Sequence, residues 1–206
     1  CKHLKAHNYH QDKTPSLRDE LYRIFYYDCP PLNKKLQHPI SRKTIDFSKS
    51  ERAIWRQQFI HEMTCRRKVA MRLGKVDEIN TNWSINPKLT HKLVNGSISI
   101  QDLEENDIML ITKQKGVDMR IGIDIASLAY KQQVERIVLI AGDSDFVPAA
   151  KLARREGIDF ILDPMWAPIK PDLFEHIDGL KSTFPDPNKK LPKEAIPEAK
   201  DDFCER

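Results

Sequence analysis

The chain has 206 residues, of which 40% are hydrophobic and 31% charged, with a formal net charge of +4. That content can bury a sizeable core in one domain, and no apolar run approaches the roughly twenty residues a membrane-spanning helix needs. Cys1, Cys29, Cys65 and Cys204 lack C-x-x-C spacing, which argues against a zinc ribbon and fits unpaired thiols in a reducing cytoplasm.

Taken in chain order, His3, His7 and His10 have helical spacing and read as polar positions of a helix rather than as a metal face. Ile24 to Tyr27 is the first strand candidate, ended by Asp28 ahead of Cys29-Pro30-Pro31. Asp28 reads as a turn carboxylate, with a substrate-side role as the alternative. Between Pro31 and Lys75 twelve Lys and Arg stand against three acids, Asp46, Glu51 and Glu62, a local balance of +9. A helix from about Lys49 to Leu73, opened by a Ser48-x-x-Glu51 capping box, is expected at its centre. Ile54, Trp55, Phe59, Met63, Val69, Ala70 and Leu73 are its apolar positions, and Arg66-Arg67-Lys68 is a basic cluster within it. Phosphate neutralisation supplies sequence-independent nucleic-acid affinity, so this surface suits RNA, while Trp55 and Tyr26 read as core before they read as stacking platforms. Residues 76 to 107 look like a helix pair or loop insertion. Asn82-Trp-Ser84 and Asn95-Gly-Ser97 match a glycosylation pattern that carries no weight without a visible secretory signal.

The second half alternates more regularly. Ile108 to Thr112 is a strand candidate, leading through Lys113-Gln-Lys115-Gly116-Val117 to Asp118 and a helix that runs to about Lys131. Asp118 suits a helix N-terminus on dipole grounds alone. Asp124 lies among Ile121, Ile123, Ile125, Ala126 and Leu128, where an ionised carboxylate is costly unless paired or coordinating. Ile137 to Ile140 reads as a buried strand, and Ala141-Gly142 lets the backbone turn before Asp143 and Asp145. Two carboxylates two residues apart beyond a strand's carboxyl end can aim oxygen ligands at one hard cation. From Phe146 a helix follows, with Pro148 in its first turn, Asp145 as its cap and Gly157 as its stop. Ile158 to Leu162 is the next strand, which implies a parallel crossover. Asp172 to Leu180 reads as a closing helix, and residues 184–206 as a disordered, charged, proline-rich tail able to tether a protein partner.

These residues carry a resemblance. Lys115-Gly-Val-Asp118, then Asp124, then Ala141-Gly-Asp143-Ser-Asp145-Phe146, followed by Gly157 and a strand, resemble the NYN domain family, the branch of PIN-like nucleases that includes the LabA-like proteins. The match covers about residues 108 to 165. It implies an α/β fold with a Rossmann-like parallel sheet flanked by helices, and an acidic cluster that binds Mg²⁺ or Mn²⁺ and cleaves RNA. By matching position, Asp118, Asp143 and Asp145 inherit the catalytic and metal roles, with Asp124 a further metal ligand. The family's first strand ends in an aspartate before a Gly-x-Asn turn, and no such strand precedes Arg23 to Pro31, the segment that resembles the family's second strand. The resemblance therefore implies an N-terminally incomplete NYN domain over residues 1–183, with a helical insertion at about 32–107.

The expectation drawn from all this is a metal-dependent ribonuclease that uses Mg²⁺ or Mn²⁺, with RNA contacted by Arg66, Arg67, Lys68 and Lys115. It is expected in the cytoplasm, away from membranes, and able to form homo-oligomers. The alternative is an inactive RNA-binding or scaffold module of the same fold. A phosphatase with an aspartyl nucleophile would need an early D-x-D, and nucleotide-cofactor chemistry would need a G-x-G-x-x-G or P-loop pattern. The chain has neither.

Overall fold

The computed structural model describes residues 20–189. The chain divides into two compact units, one of Phe25–Val117 and the other of Cys1–Ile24 with Asp118–Arg206. His3, His7, His10, Cys1, Cys204 and the end of the tail lie outside the described residues. No helix among the described residues is long and apolar enough to cross a membrane.

In the Phe25–Val117 unit, strand β1 (Ile24–Asp28) lies beside β4 (Val69–Leu73). Helix α1 (Glu51–Thr64) packs on β4, and its Phe59 ring meets Tyr26 edge-on at 5.5 Å and stacks on Trp55 at 5.4 Å. The expected helix over 49–73 is therefore corrected at both ends. At its start, Asp46 caps a separate 3₁₀ turn (Phe47–Lys49), accepting from the Ser48 hydroxyl at 2.6 Å and the Ser48 N–H at 3.2 Å. The helix cap falls to Ser50, whose hydroxyl accepts from the Ala53 N–H at 3.2 Å. At its end, Lys68 takes left-handed backbone with φ 62°, which no helix continues through, and the β-branched, apolar Val69 run enters a strand. Arg66-Arg67-Lys68 is thus a turn between helix and strand.

The segment expected as a helical insertion mixes α1 and one further α-helix with short strands. Strands β2 (Lys35–Gln37) and β3 (Thr44–Asp46) form a hairpin. Its turn is held by buried His38, whose Nδ1 accepts from the Ile40 and Ser41 N–H groups at 3.3 Å each. Strand β5 (Lys75–Val76) pairs with β8 (Gln114–Lys115), and β6 (Asn82–Ile85) with β7 (Ile108–Ile111), both antiparallel. The one α-helix of the 76–107 stretch is α2 (Pro87–Val94), capped by the Asn86 carboxamide. Gly74 is required where these pieces meet, since a Cβ there would lie 2.7 Å from both the Lys115 carbonyl oxygen and Val117 Cγ2.

In the other unit, α3 (Val117–Tyr130) buries Ile121, Ile125, Leu128 and Ala129, one stripe at helical spacing. Strands β9 (Arg136–Ile140), β10 (Asp159–Asp163) and β11 (Gly179–Leu180) form a parallel sheet with β10 central, in the register Val138 to Ile161 and Ile161 to Gly179. Helix α4 (Val147–Arg155) bridges β9 and β10 and packs on β10, burying Val147, Ala150 and Ala153 around Phe160 and Leu162. Gly157, at φ 82°, closes α4 as the sequence led one to expect. Its N–H donates to the Arg154 carbonyl and that of Ile158 to the Ala153 carbonyl, each at 3.0 Å, a Schellman motif. The closing helix is shorter than expected, with α5 (Pro171–Phe174) giving way to β11.

The architecture is mixed α/β, as expected in outline. The parallel sheet is smaller than expected, because β7 spends its hydrogen bonds antiparallel on β6 rather than in the sheet of β9, β10 and β11.

Candidate active site

Strand β9 delivers the acidic turn. Its last residue, Ile140, is followed by Ala141, Gly142 and then a 3₁₀ turn, Ser144–Phe146, that leads directly into α4. Asp143 caps this 3₁₀ turn, its Oδ1 accepting from the Asp145 N–H at 3.3 Å, while the cap position of α4 falls to Phe146 without a side-chain hydrogen bond, and not to the expected Asp145. Phe146 and Val147 are buried and pin the turn from beneath. Asp143 and Asp145 both stand exposed, open to solvent or a cation.

Asp118 is exposed in the first turn of α3, and Asp124, half-buried, lies two turns on. The four carboxylates supply only hard oxygen donors, the chemistry Mg²⁺ and Mn²⁺ select. They do not gather into a set of three with ligand atoms within 4.8 Å of one another; among the described residues such a set is formed only by Asp172, Glu175 and His176. The expected convergence of Asp118 with Asp143 and Asp145 is thus not drawn in tightly. The strand leading to Asp118 pairs outside the sheet that carries Asp143.

Contacts around the acidic turn include one that the sequence did not announce. The Lys170 ammonium donates to the Ser144 hydroxyl at 2.9 Å, placing a cation against the residue between the two aspartates. The segment bearing it lies on the turn itself, since a Cβ on Gly142 would sit 3.7 Å from Ala167 Cβ and 3.8 Å from the Pro168 carbonyl oxygen. Pro168 and Pro171 around Lys170 were a legible sign of a shaped loop, but not of its destination.

The remaining expected residues fall in the other unit. Arg66 and Arg67 are exposed in the turn after α1, with Lys68 half-buried. Lys115 was expected on RNA, but its ammonium is held by the buried Asp77 at 2.5 Å. That charge and the Asn80 carboxamide hold the Asp77 carboxyl well below the usual carboxylate range. Asp28 is anchored by the Arg56 guanidinium and by the Cys29 N–H at 2.7 Å, a structural role like the turn carboxylate the sequence suggested. Burial and the Asp28 charge together raise the Tyr26 phenol above its ordinary value, against a smaller opposing effect of Arg56. Of the two stacking candidates, Trp55 is exposed while Tyr26 is half-buried.

Neither the search of curated proteins nor that of solved structures gave a match. The family model described as NYN domain matches residues 36–168, a span that holds β9, the Asp143–Asp145 turn, Asp118 and Asp124. Since that is more than half of the chain, the protein belongs to the NYN domain family.

Proposed function

We propose that this protein is a metal-dependent ribonuclease whose acidic centre is the Asp143–Asp145 turn, with Asp118 as its third carboxylate and Asp124 as a further donor. The observation that carries this reading is the pair of exposed aspartates at the carboxyl end of parallel strand β9, in a chain of a nuclease-related family. Ligands of open α/β sheets bind beyond such strand ends. When bound, Mg²⁺ or Mn²⁺ would neutralise the scissile phosphate and lower the pKa of a nearby water. Asp143 and Asp145 would hold the ion, and the hydrogen bond from the Asp145 N–H fixes the Asp143 carboxylate for that task. Lys170 offers a second positive charge on the phosphate side. Arg66, Arg67 and Lys68 would grip the RNA backbone through charge alone.

The test is cleavage of single-stranded RNA by the purified protein with Mn²⁺ or Mg²⁺. Activity is expected to vanish with EDTA and to be indifferent to a zinc-selective chelator. Asp143→Asn keeps size and hydrogen-bonding capacity but removes one ligand charge, so it should slow turnover by about a hundredfold or more with the fold intact and RNA affinity kept or improved. RNA binding without metal-dependent cleavage, or an Asp143→Asn protein that cuts as fast as the parent, would establish the binding module instead.

A further inference from the structure

Past β10 the chain adopts a turn that its residues disfavour. Met165 and Trp166 both have positive φ, 50° and 67°, and the Ala167 N–H donates to the Pro164 carbonyl at 3.0 Å. Pro164–Ala167 is therefore a type I′ turn, a geometry ordinarily given to Asn-Gly. It is held by the Asp163 carboxylate accepting from the Met165 N–H at 3.0 Å, by the Ser182 hydroxyl accepting from the Trp166 N–H at 3.1 Å, and by the Phe184 carbonyl accepting from the indole N–H at 2.7 Å. Strain over-determined in this way tends to mark a working surface.

What the turn fixes is an aromatic ring that remains 47% exposed, next to a groove of about 640 Å³ lined by Pro164, Trp166, Ile169, Pro171, Phe174 and Leu180. Phe174, 56% exposed, is a second open ring on this groove. Lys170, between lining residues Ile169 and Pro171, reaches Ser144 of the acidic turn. The groove therefore offers two apolar rings, and the segment that lines it carries Lys170, whose ammonium reaches the hydroxyl of the residue between the two aspartates; a nucleotide presents a flat base and an anionic phosphate in the same pairing. The one acid of α5, Asp172, lies 3.7 Å from the His176 imidazole. We propose that this groove is a stacking subsite for one unpaired base of the RNA, whose adjoining phosphate is taken by Lys170. The proposal rests on the ribonuclease reading and names how its substrate is seated. Such a site accepts any base, because every base has a π face.

The experiment measures binding of a fluorescently labelled single-stranded RNA, with EDTA present so that nothing is cleaved, across a salt series. Phe174→Ala, at an exposed position, should weaken binding about tenfold with an unchanged salt slope, because stacking and not charge is lost. Trp166→Phe keeps a stacking ring and should retain most of the affinity. Lys170→Gln should lower the salt slope by about 0.7, the share of one phosphate on a single strand. An RNA of abasic residues should bind the parent and Phe174→Ala alike. If the parent binds or cleaves RNA but Phe174→Ala matches it, or abasic RNA binds the parent as well as normal RNA, the subsite is overturned while the ribonuclease reading stands. If the parent neither binds nor cleaves RNA, both are overturned.

Discussion

At the residue scale, buried carboxylates do different work from the exposed pair at the acidic turn. Asp163 ends β10 with no exposed surface and accepts from the Met165 N–H, the Thr183 N–H and the Thr183 hydroxyl at 3.0, 3.3 and 2.7 Å. Truncating it leaves three part-buried donors without their acceptor, so Asp163→Ala should cost about 3 kcal/mol in urea denaturation, with Asp163→Asn between it and the parent. Asp77 acts through pH. Its folded pKa lies below the unfolded value of about 3.9, so its stabilisation is complete above that value and lost as pH falls through the folded one. The Ser48 hydroxyl lowers Asp46 in the same direction, and a hydrogen bond from Ser41 lowers Glu105. Urea midpoints taken from pH 7 down to pH 3 should therefore fall at the acid end, and Asp77→Asn should fall less steeply there, having less to lose. An Asp77→Asn curve parallel to the parent's would remove Asp77 from the account of acid lability.

At the element scale, the two principal helices of the Asp118–Arg206 unit end by the same device with different residues. Helix α4 ends on Gly157, while α3 ends on Gln132 at φ 47°, with the Gln132 N–H donating to the Ala129 carbonyl at 3.0 Å and that of Gln133 to Leu128 at 3.1 Å. A side chain in left-handed backbone pays a penalty that glycine escapes, at the cost of a floppier unfolded chain. Gln132→Gly should therefore raise stability by about 0.5 kcal/mol, and Gly157→Ala should lower it by about 1 kcal/mol, both read from thermal or urea midpoints. Signals of this local kind were legible in advance: Gly157 as a stop, Ile137 to Ile140 as a strand, and Asp143 and Asp145 at its end. The region from Lys49 to Leu73 was misread because Met63, Val69, Ala70 and Leu73 keep a helical spacing across a chain that changes state at Lys68. Lys170, Trp166 and Phe174 escaped notice for another reason. Their meaning comes from a fold that lays residues 164–174 on the acidic turn, and no local spacing encodes that approach.

At the scale of the whole molecule, charge is distributed unevenly. The chain carries +4 overall while the segment from Pro31 to Lys75 carries +9, so the remainder carries −5. On the proposed ribonuclease reading, an acidic centre would repel the phosphates of its substrate, so a cationic surface would be needed to hold the strand. Arg66 and Arg67 lie exposed in the turn that ends α1, beside Lys68, a position from which charge can be removed without opening a core. Replacing all three by Gln should weaken RNA binding at low salt and reduce the slope of log affinity against log salt by about 2, the sum of three single-strand phosphate contacts. Binding of Mn²⁺ to the protein should be unchanged, because the substitutions alter no carboxylate. The salt slope is the decisive quantity, since a variant that lost affinity through misfolding would lose it at every salt concentration alike. An unchanged slope with unchanged affinity would make the cluster an ordinary solvated turn, and the positive segment would then owe its composition to solubility and not to RNA.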